Sequence, residues 1–374
     1  MISQLITGPG RNVTVDVAKG IGIILVVLGH NWIVQHEDGE LGRIIYSFHM
    51  PLFILISGIY LKETAFFGEF CLHKARSLLK PYLSTVAIMG VLLVIGGVPT
   101  TGYLVAALYG TGESFRAGAH WTMEPLWFLP CLFVTFLVTW KIIRISKVFG
   151  FSKAGMLLVV VALLAFGTKY LGAFWHVAIP GVGQAELPGE GKGLPGLPFS
   201  VDLVVLCSGF MLAGYVLREE IQTMTFNGFR LAVVTILFSG LHYRFDHFID
   251  LNKRYLGSWP IVMLQVILGI YIAISLARLI SRYRLPARIL GYIGSASLFI
   301  LLFHQPLQYI ATVNLSPHLR SMYGVGLVAL LVGISLPLGI FEVAKRHKAI
   351  AHFFLPVTCG PEKSSTAKTT KNSI

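Results

Sequence analysis

Long apolar runs separated by short polar segments cover most of the chain. Runs of about 17 to 25 apolar residues are long enough to cross a bilayer as α-helices. The pattern predicts ten spans, at residues 17–35, 44–61, 81–98, 125–140, 154–175, 199–217, 229–243, 259–277, 290–312 and 322–342. We therefore expect an all-α integral membrane protein with about ten transmembrane helices, whose membrane domain covers residues 1–345. Residues 346–374 are expected to form a basic, disordered cytoplasmic tail.

The composition supports this interpretation, since 55% of the residues are hydrophobic and only 13% are charged. A net charge of +13 would suit a nucleic-acid partner, but the placement of the charges favours another explanation. Alternate connections hold 22 Lys and Arg on one side and eight on the other. By the positive-inside rule both termini should be cytoplasmic, and the basic clusters should face membrane lipids or a phosphate-bearing substrate. Four widely spaced cysteines argue against a metal site, so we expect no metal.

The first predicted span carries three ionisable residues on one side. At about 100° per residue, Asp16, Lys19 and His30 fall on one helical stripe. Charged groups inside a span are costly and normally face a bundle interior or a watery cavity, so the stripe indicates a functional site. The alternative is an Asp16–Lys19 ion pair at the helix mouth and a histidine that only packs in the core.

Two further histidines lie beside prolines in predicted spans. His49 precedes Pro51, and His304 precedes Pro306. Because the first span runs outward and the second returns, His30 and His49 should both lie in the outer half of the membrane. We expect them to share one cavity, with a structural role for His49 at the proline-loosened turn as the alternative.

The outer connections contain candidates for sugar recognition. Trp127 follows Glu124 at the start of the fourth span, and it is first interpreted, with Trp121, as an anchor at the membrane interface. The connection at residues 242–257 interleaves aromatic rings with acids and amides, which suits either carbohydrate or an ordinary interface. Its candidate substrate-binding residues are Asp246, Asp250 and Asn252. The GKGLPG segment at 191–196 is not a dinucleotide loop, because it follows no strand and contains a proline.

Six stretches together resemble membrane acyltransferase family 3, and within it the fucose 4-O-acetylase-like glycan O-acetyltransferases. They are the first span from Asp16 to the Gly-His at its end, FHMPLF with the following ISG, ARSLLKPYL, LWFLPCLF, DLNKRYLG and IGSASLFILLFH. The resemblance covers roughly residues 11–345. Any one stretch is weak, but unrelated transporters have no reason to carry all six in this order.

The resemblance implies an acyl-CoA donor taken from the cytoplasm, a bacterial inner-membrane location and an essential histidine that corresponds to His30. The basic residue eleven positions earlier is Lys19 here rather than arginine. Members often carry a second arginine directly after the position of Arg76, where this chain has serine, so Lys74 or Lys80 is expected to help hold the CoA phosphates.

Acyl transfer to a sugar hydroxyl needs a base, and the reference pKa of histidine, about 6.5, suits that task. We expect His30 to be the general base, with His49 or His304 orienting it or stabilising the oxyanion. Lys19, about 16 Å nearer the cytoplasm, should lie along the donor's path with Asp16 beside it. The acceptor would be a cell-envelope glycan or its lipid-linked precursor. The alternatives are a proton-coupled secondary transporter, or a receptor with a degenerate acyltransferase fold.

Overall fold

The computed structural model describes residues 12–36, 39–97, 101–118, 123–171, 196–245 and 247–355. Within these ranges the chain forms 18 α-helices and one small hairpin. The helices are α1 (Val13–Gly29), α2 (Trp32–His36), α3 (Glu40–Tyr46), α4 (His49–Ile59), α5 (Phe67–Lys74), α6 (Lys80–Ile95), α7 (Thr101–Tyr109), α8 (Gly112–Gly118), α9 (Phe128–Val148), α10 (Lys153–Tyr170), α11 (Val204–Val216), α12 (Arg218–Thr223), α13 (Gly228–Arg244), α14 (Trp259–Ile280), α15 (Arg284–Ser295), α16 (Ser297–Leu315), α17 (Met322–Arg346) and α18 (Lys348–Phe354).

Shorter elements connect some of these helices. A π-helical turn, Ala75–Leu79, joins α5 to α6, and 3₁₀ turns at Glu124–Trp127 and Pro198–Leu203 precede α9 and α11. The antiparallel strands β1 (Ile249–Asp250) and β2 (Tyr255–Leu256) pair Ile249 with Leu256 and Asp250 with Tyr255.

Eight stretches of the described chain are long and apolar enough to cross a membrane, which agrees with an all-α multi-pass membrane protein. They are Glu40–Ile59, Phe67–Ile95, Glu124–Val148, Lys153–Tyr170, Pro198–Val216, Trp259–Ile280, Ser297–Leu315 and Met322–Arg346. The other two predicted spans correspond to α1 and α13, which are helices of 17 residues each. The count of ten spans and the cytoplasmic location of both termini stay predictions.

Three predicted spans are each divided between two α-helices, a break that the apolar pattern does not show. The span at 17–35 is divided into α1 and α2 at His30 and Asn31. The span at 44–61 is divided into α3 and α4 at Phe48, whose φ of −148° and ψ of −15° are not helical. The span at 290–312 is divided at Ala296, so that α15 ends before the membrane-spanning α16 begins. Hydropathy measures the apolarity of the side chains, and it carries no information on where the backbone leaves the helical conformation.

The basic segments at 62–80 and 141–153, predicted as connections, are largely helical. α5 and the π-helical turn continue into α6, and α9 continues to Val148. Lysine and arginine are good helix formers, so these charges end the apolar run without ending the helix.

The helices cross closely where glycines face one another. A Cβ on Gly58 of α4 would lie 1.9 Å from the carbonyl oxygen of Met211, and one on Gly214 of α11 would lie 1.9 Å from that of Leu55. In lipid, helix association depends on such close packing rather than on a hydrophobic driving force. These contacts set α4 against α11 with no room for a side chain between them.

A second glycine crossing joins α1 to α15. A Cβ on Gly20 would lie 2.2 Å from the carbonyl oxygen of Leu290, and one on Gly294 would lie 2.2 Å from that of Asp16. The N-terminal half of α1, which carries Asp16 and Lys19, therefore lies directly against α15.

The segment after Lys345 differs from the expected disordered tail. α17 extends to Arg346, and the following residues form α18, which packs against α6 and α17. The Phe354 ring lies 5.6 Å from that of Phe299 and 5.8 Å from that of Phe303, between ring centroids. The buried ring of Phe354 thus attaches α18 to the helix bundle. The basic composition of the segment does not indicate this apolar contact. Residues 356–374 lie outside the described part.

Candidate active site

The end of α1 brings His30 against His304. His30 is half-buried and caps the C-terminus of α1, while His304 on α16 is completely buried. Their ring centroids are 5.4 Å apart and the ring planes are inclined by 50°. Two histidines that are 274 positions apart in the sequence thus form one contact inside the helix bundle.

The hydrogen bonding of His304 determines which of its nitrogens carries the proton. Nδ1 lies 2.7 Å from the carbonyl oxygen of Ile300. A carbonyl can only accept, so Nδ1 is the donor and, in the neutral ring, Nε2 keeps its lone pair. Nε2 of His304 is buried and has no hydrogen-bond partner among the described residues. The ring therefore presents an acceptor within the bundle.

His49 is connected to the same helix end through one intervening residue, Tyr46. Its Nδ1 donates to the carbonyl of Ile45 at 2.8 Å, and its ring meets that of Tyr46 edge to face, with 5.0 Å between centroids. The Tyr46 hydroxyl in turn donates to the carbonyl of Gly29, the residue before His30, at 3.4 Å. The structure therefore connects His49 to the end of α1 through Tyr46.

The N-terminal half of α1 carries the other two residues of the stripe. Asn12 caps the helix, its side chain accepting from the backbone N–H of Thr14 and Val15. Asp16 is buried in the first turn, where the helix dipole favours a negative charge. The Lys19 ammonium lies 4.4 Å from the centroid of the Tyr60 ring. Asp16 and Lys19 lie one turn apart, about 21 Å and about 16 Å along the helix from His30.

The candidate acceptor-binding residues Glu124 and Asn252 are hydrogen-bonded to each other. Nδ2 of Asn252 donates to Oε1 of Glu124 at 2.6 Å, and both side chains are buried. Asp250, also buried, accepts from the backbone N–H of Lys253 at 3.0 Å. Burial raises the pKa of the Asp250 carboxyl. Asp246 lies outside the described residues.

The interpretation of Trp127 as an interface anchor is wrong. Its side chain is only 4% exposed and packs in the main core, with its ring centroid 5.9 Å from that of Phe128. The sequence around an aromatic residue at the start of a helix is similar whether its ring faces the membrane interface or the interior of the bundle. Trp121 is not among the described residues.

The Glu124–Asn252 pair and the histidine pair lie on elements that contact each other. The 3₁₀ turn that carries Glu124 packs against α16, which carries His304. Leu126 of this turn belongs to the same buried cluster as Phe303. The arrangement leaves a carboxylate and an amide on the predicted outer side of the histidines.

The basic residues of the third span do not converge on one point. The Lys74 ammonium lies 3.6 Å from the centroid of the Phe136 ring, facing α9. Lys80 donates to the carbonyl of Leu355 at 2.7 Å and so holds the segment after α18. Arg76 is exposed within the π-helical turn. Single π-helical turns occur often at functional sites, because the extra residue changes the direction of the side chains around it.

Sequence reasoning missed two groups of buried polar residues. Asp202 and Arg254 form a completely buried ion pair beside the hairpin, with Nε to Oδ2 at 2.9 Å and Nη2 to Oδ1 at 3.1 Å. Asn31 and Gln308 form an amide pair directly beside His30. The only available signal was polarity inside or next to a predicted span. Among the residues that the structure describes, no cluster of three or more His, Cys, Asp or Glu could hold a metal ion.

Comparison with known proteins identifies the class. A family model described as an acyltransferase domain matches residues 12–340, and the chain belongs to this family, acyltransferase family 3. Among curated proteins, the chain is similar to nodulation protein NolL of Sinorhizobium fredii (strain NBRC 101917 / NGR234), with 34% identity over 143 residues. That match covers 34% of this chain and 36% of the relative, so the chain matches about a third of the relative's length.

Proposed function

We propose that this protein is an acyl-CoA-dependent O-acyltransferase, with acetyl as the favoured acyl group. Its acceptor is a hydroxyl of a cell-envelope or exported glycan, or of the lipid-linked precursor, and its location is the bacterial cytoplasmic membrane. The observation that carries the proposal is the contact of His30 with His304 inside the bundle of a membrane protein of the acyltransferase family.

In the proposed reaction His30 acts as general base. The acceptor hydroxyl transfers its proton to a ring nitrogen of His30 while its oxygen attacks the carbonyl carbon of the acyl thioester. The resulting tetrahedral intermediate collapses, the C–S bond breaks, and the CoA thiolate leaves and takes up the proton from His30. His30 suits this role better than His304 because it is partly exposed, whereas His304 is completely buried.

The other histidines would support His30. A neutral His304 with its proton on Nδ1 presents an acceptor at Nε2, which favours orientation of the neighbouring ring over donation to an oxyanion. His49 is held in the same tautomer by the carbonyl of Ile45. Neither ring could donate from Nε2 unless it were first protonated.

The donor would enter from the cytoplasmic side. Lys19, supported by Asp16, is proposed to line its path, and the exposed Arg76 is the best placed of the three predicted cations to meet the CoA phosphates. Lys74 and Lys80 remain candidates, but each must first leave the contact that it makes with Phe136 or with the carbonyl of Leu355.

The acceptor would bind on the other side. Glu124 and Asn252 offer a carboxylate and an amide, which bind sugar hydroxyls well. Asp250 and Asp246 lie on the same connection, and Trp127 is proposed to pack behind Glu124. These residues would set the sugar so that one hydroxyl reaches His30.

The proposal is tested with inverted membrane vesicles that contain the protein and are supplied with radiolabelled acetyl-CoA. We expect label to appear in the glycan fraction, and mass spectrometry of envelope glycans from a deletion strain should show the loss of one acyl increment. The control is the same vesicles without the protein. Absence of both label transfer and the mass difference would contradict the proposed function.

A further inference from the structure

A buried amide network fixes the end of α1 on which His30 lies. Nδ2 of Asn31 donates to Oε1 of Gln308 at 2.8 Å and to the carbonyl of Gly326 at 2.9 Å. Oδ1 of Asn31 accepts from the backbone N–H of Ile33 at 3.1 Å. Asn31 is 1% exposed and Gln308 is 3% exposed, so water does not compete for these bonds. The network joins α1, α16 and α17 at one point.

Gln308 also completes the hydrogen bonding of the helix end. At the terminus of α1, the N–H of His30 bonds to Val26 and the N–H of Asn31 bonds to Leu28, which leaves the carbonyl of Val27 outside the helical pattern. Nε2 of Gln308 donates to this carbonyl at 3.0 Å. One side chain of α16 therefore forms hydrogen bonds with α1 on both sides of His30, at Val27 and at Asn31.

The same helix carries the histidine that His30 contacts. Gln308 follows His304 by four residues, so the two lie about one turn apart on one side of α16. α17 makes room for the network through glycines: a Cβ on Gly333 would lie 2.7 Å from Cγ of Gln308, and one on Gly326 would lie 3.0 Å from Oδ1 of Asn31. The amides and the two histidines thus belong to one rigid junction of α1 and α16.

We propose that Gln308 and Asn31 are positioning residues that hold the ring of His30 against His304 during acyl transfer. This inference rests on the proposed function of His30. Helix ends fray readily, and a base displaced by about 1 Å can lose up to about 100-fold in rate. The amide pair prevents that displacement because its bonds act on the backbone at Val27, three residues before His30, and on the side chain of Asn31, directly after it.

The test replaces Gln308 by methionine, which is unbranched and of similar length but removes both hydrogen bonds. For purified Gln308→Met in liposomes, we expect kcat per folded molecule to fall about 10- to 100-fold, with the KM for acetyl-CoA within about 2-fold of wild type. The matched control is Asn314→Leu on the same helix, because Asn314 is exposed and, within the described part of the chain, donates to the carbonyl of Ile310 in its own helix. This control should retain wild-type kcat.

A double-mutant cycle separates positioning from general destabilisation. If Gln308 acts through His30, adding Gln308→Met to a His30→Gln protein should change the residual rate by less than about 2-fold. An equal loss in both backgrounds would overturn the inference, as would wild-type kcat in folded Gln308→Met. Should the methionine variant not fold, Gln308→Glu keeps the acceptor for Asn31 but not the amide donor to Val27, and a wild-type kcat there would equally contradict the inference. No transfer by the wild-type protein would refute the proposed function instead.

Discussion

Replacing Arg254 by methionine should destabilise the β1–β2 hairpin and the candidate acceptor site that it carries. The Arg254 guanidinium donates to both carboxylate oxygens of Asp202 and, through Nη1, to the carbonyl of Asn252 at 2.7 Å. Asp202 also accepts from the backbone N–H of Leu197 at 2.8 Å. After the substitution, the buried Asp202 carboxylate keeps its hydrogen bond from the backbone N–H of Leu197 but loses the Arg254 cation that balances its charge.

The expected magnitude follows from the burial of both side chains, neither of which is exposed. Breaking a buried ion pair by removing one partner costs about 3–5 kcal/mol of unfolding free energy. At roughly 2 °C per kcal/mol for a chain larger than 150 residues, the melting temperature should fall by about 6–10 °C. Because Arg254 also holds the backbone of Asn252, the KM for the glycan acceptor should rise.

The assay is thermal unfolding of the detergent-solubilised protein, followed by size-exclusion fluorescence. The control is Lys153→Met, which removes a pair with Glu220 in which both side chains are about half exposed, and which should cost no more than about 1 kcal/mol. The double variant Asp202→Leu with Arg254→Met should regain much of the lost stability, because no charge is left buried. A melting temperature for Arg254→Met equal to that of Lys153→Met would show that the buried ion pair contributes no more stability than the exposed one.

Three further predictions concern other parts of the chain. Gly58→Val should sharply reduce the amount of folded protein, because its Cβ would lie 1.9 Å from a backbone oxygen of α11, and normal expression would contradict this. Burial raises the pKa of Glu63, but hydrogen bonds from Lys147 and Tyr215 outweigh burial and leave the pKa below its ordinary value of 4.5. The stability that the Glu63 carboxylate contributes is therefore complete above about pH 4.5 and is lost as the pH falls through its lowered pKa. The melting curves of wild type and Glu63→Gln should converge on acidification. A difference that stays constant with pH would contradict a stabilising role for the Glu63–Lys147 pair. Arg76→Ala should raise the KM for acetyl-CoA more than it lowers kcat, and unchanged donor dependence would mean that CoA binds elsewhere.

The sequence predicts the membrane fold well because length and apolarity are local properties. Each predicted span corresponds to at least one helix, and the family resemblance is confirmed. The breaks at Phe48 and Ala296 could not be predicted, because hydropathy does not distinguish a continuous span from two helices that meet at a turn. The burial of Trp127 was missed for a related reason: its neighbours in sequence do not tell whether the helix entrance faces lipid or the bundle.

The candidate site shows the same division between local and long-range information. The stripe on α1 follows from helical periodicity, so Asp16, Lys19 and His30 could be selected from the sequence alone. The pairing of His30 with His304, and of Asn31 with Gln308, depends on how α1 meets α16, and no local pattern encodes that meeting. The directions of Lys74 and Lys80 were equally inaccessible, because they depend on Phe136 of α9 and on the segment after α18.

The most direct test of the proposed mechanism is the rate of acyl transfer by His30 variants, measured per correctly inserted molecule in the vesicle assay. We expect His30→Ala and His30→Gln to insert and fold normally, and each to transfer acetyl to the glycan about 10²- to 10⁴-fold more slowly than wild type. His30→Gln keeps a hydrogen-bonding side chain of similar volume, so it separates the loss of a base from the loss of packing. A variant that is normally inserted and transfers acetyl within a few-fold of the wild-type rate would show that His30 is not the base.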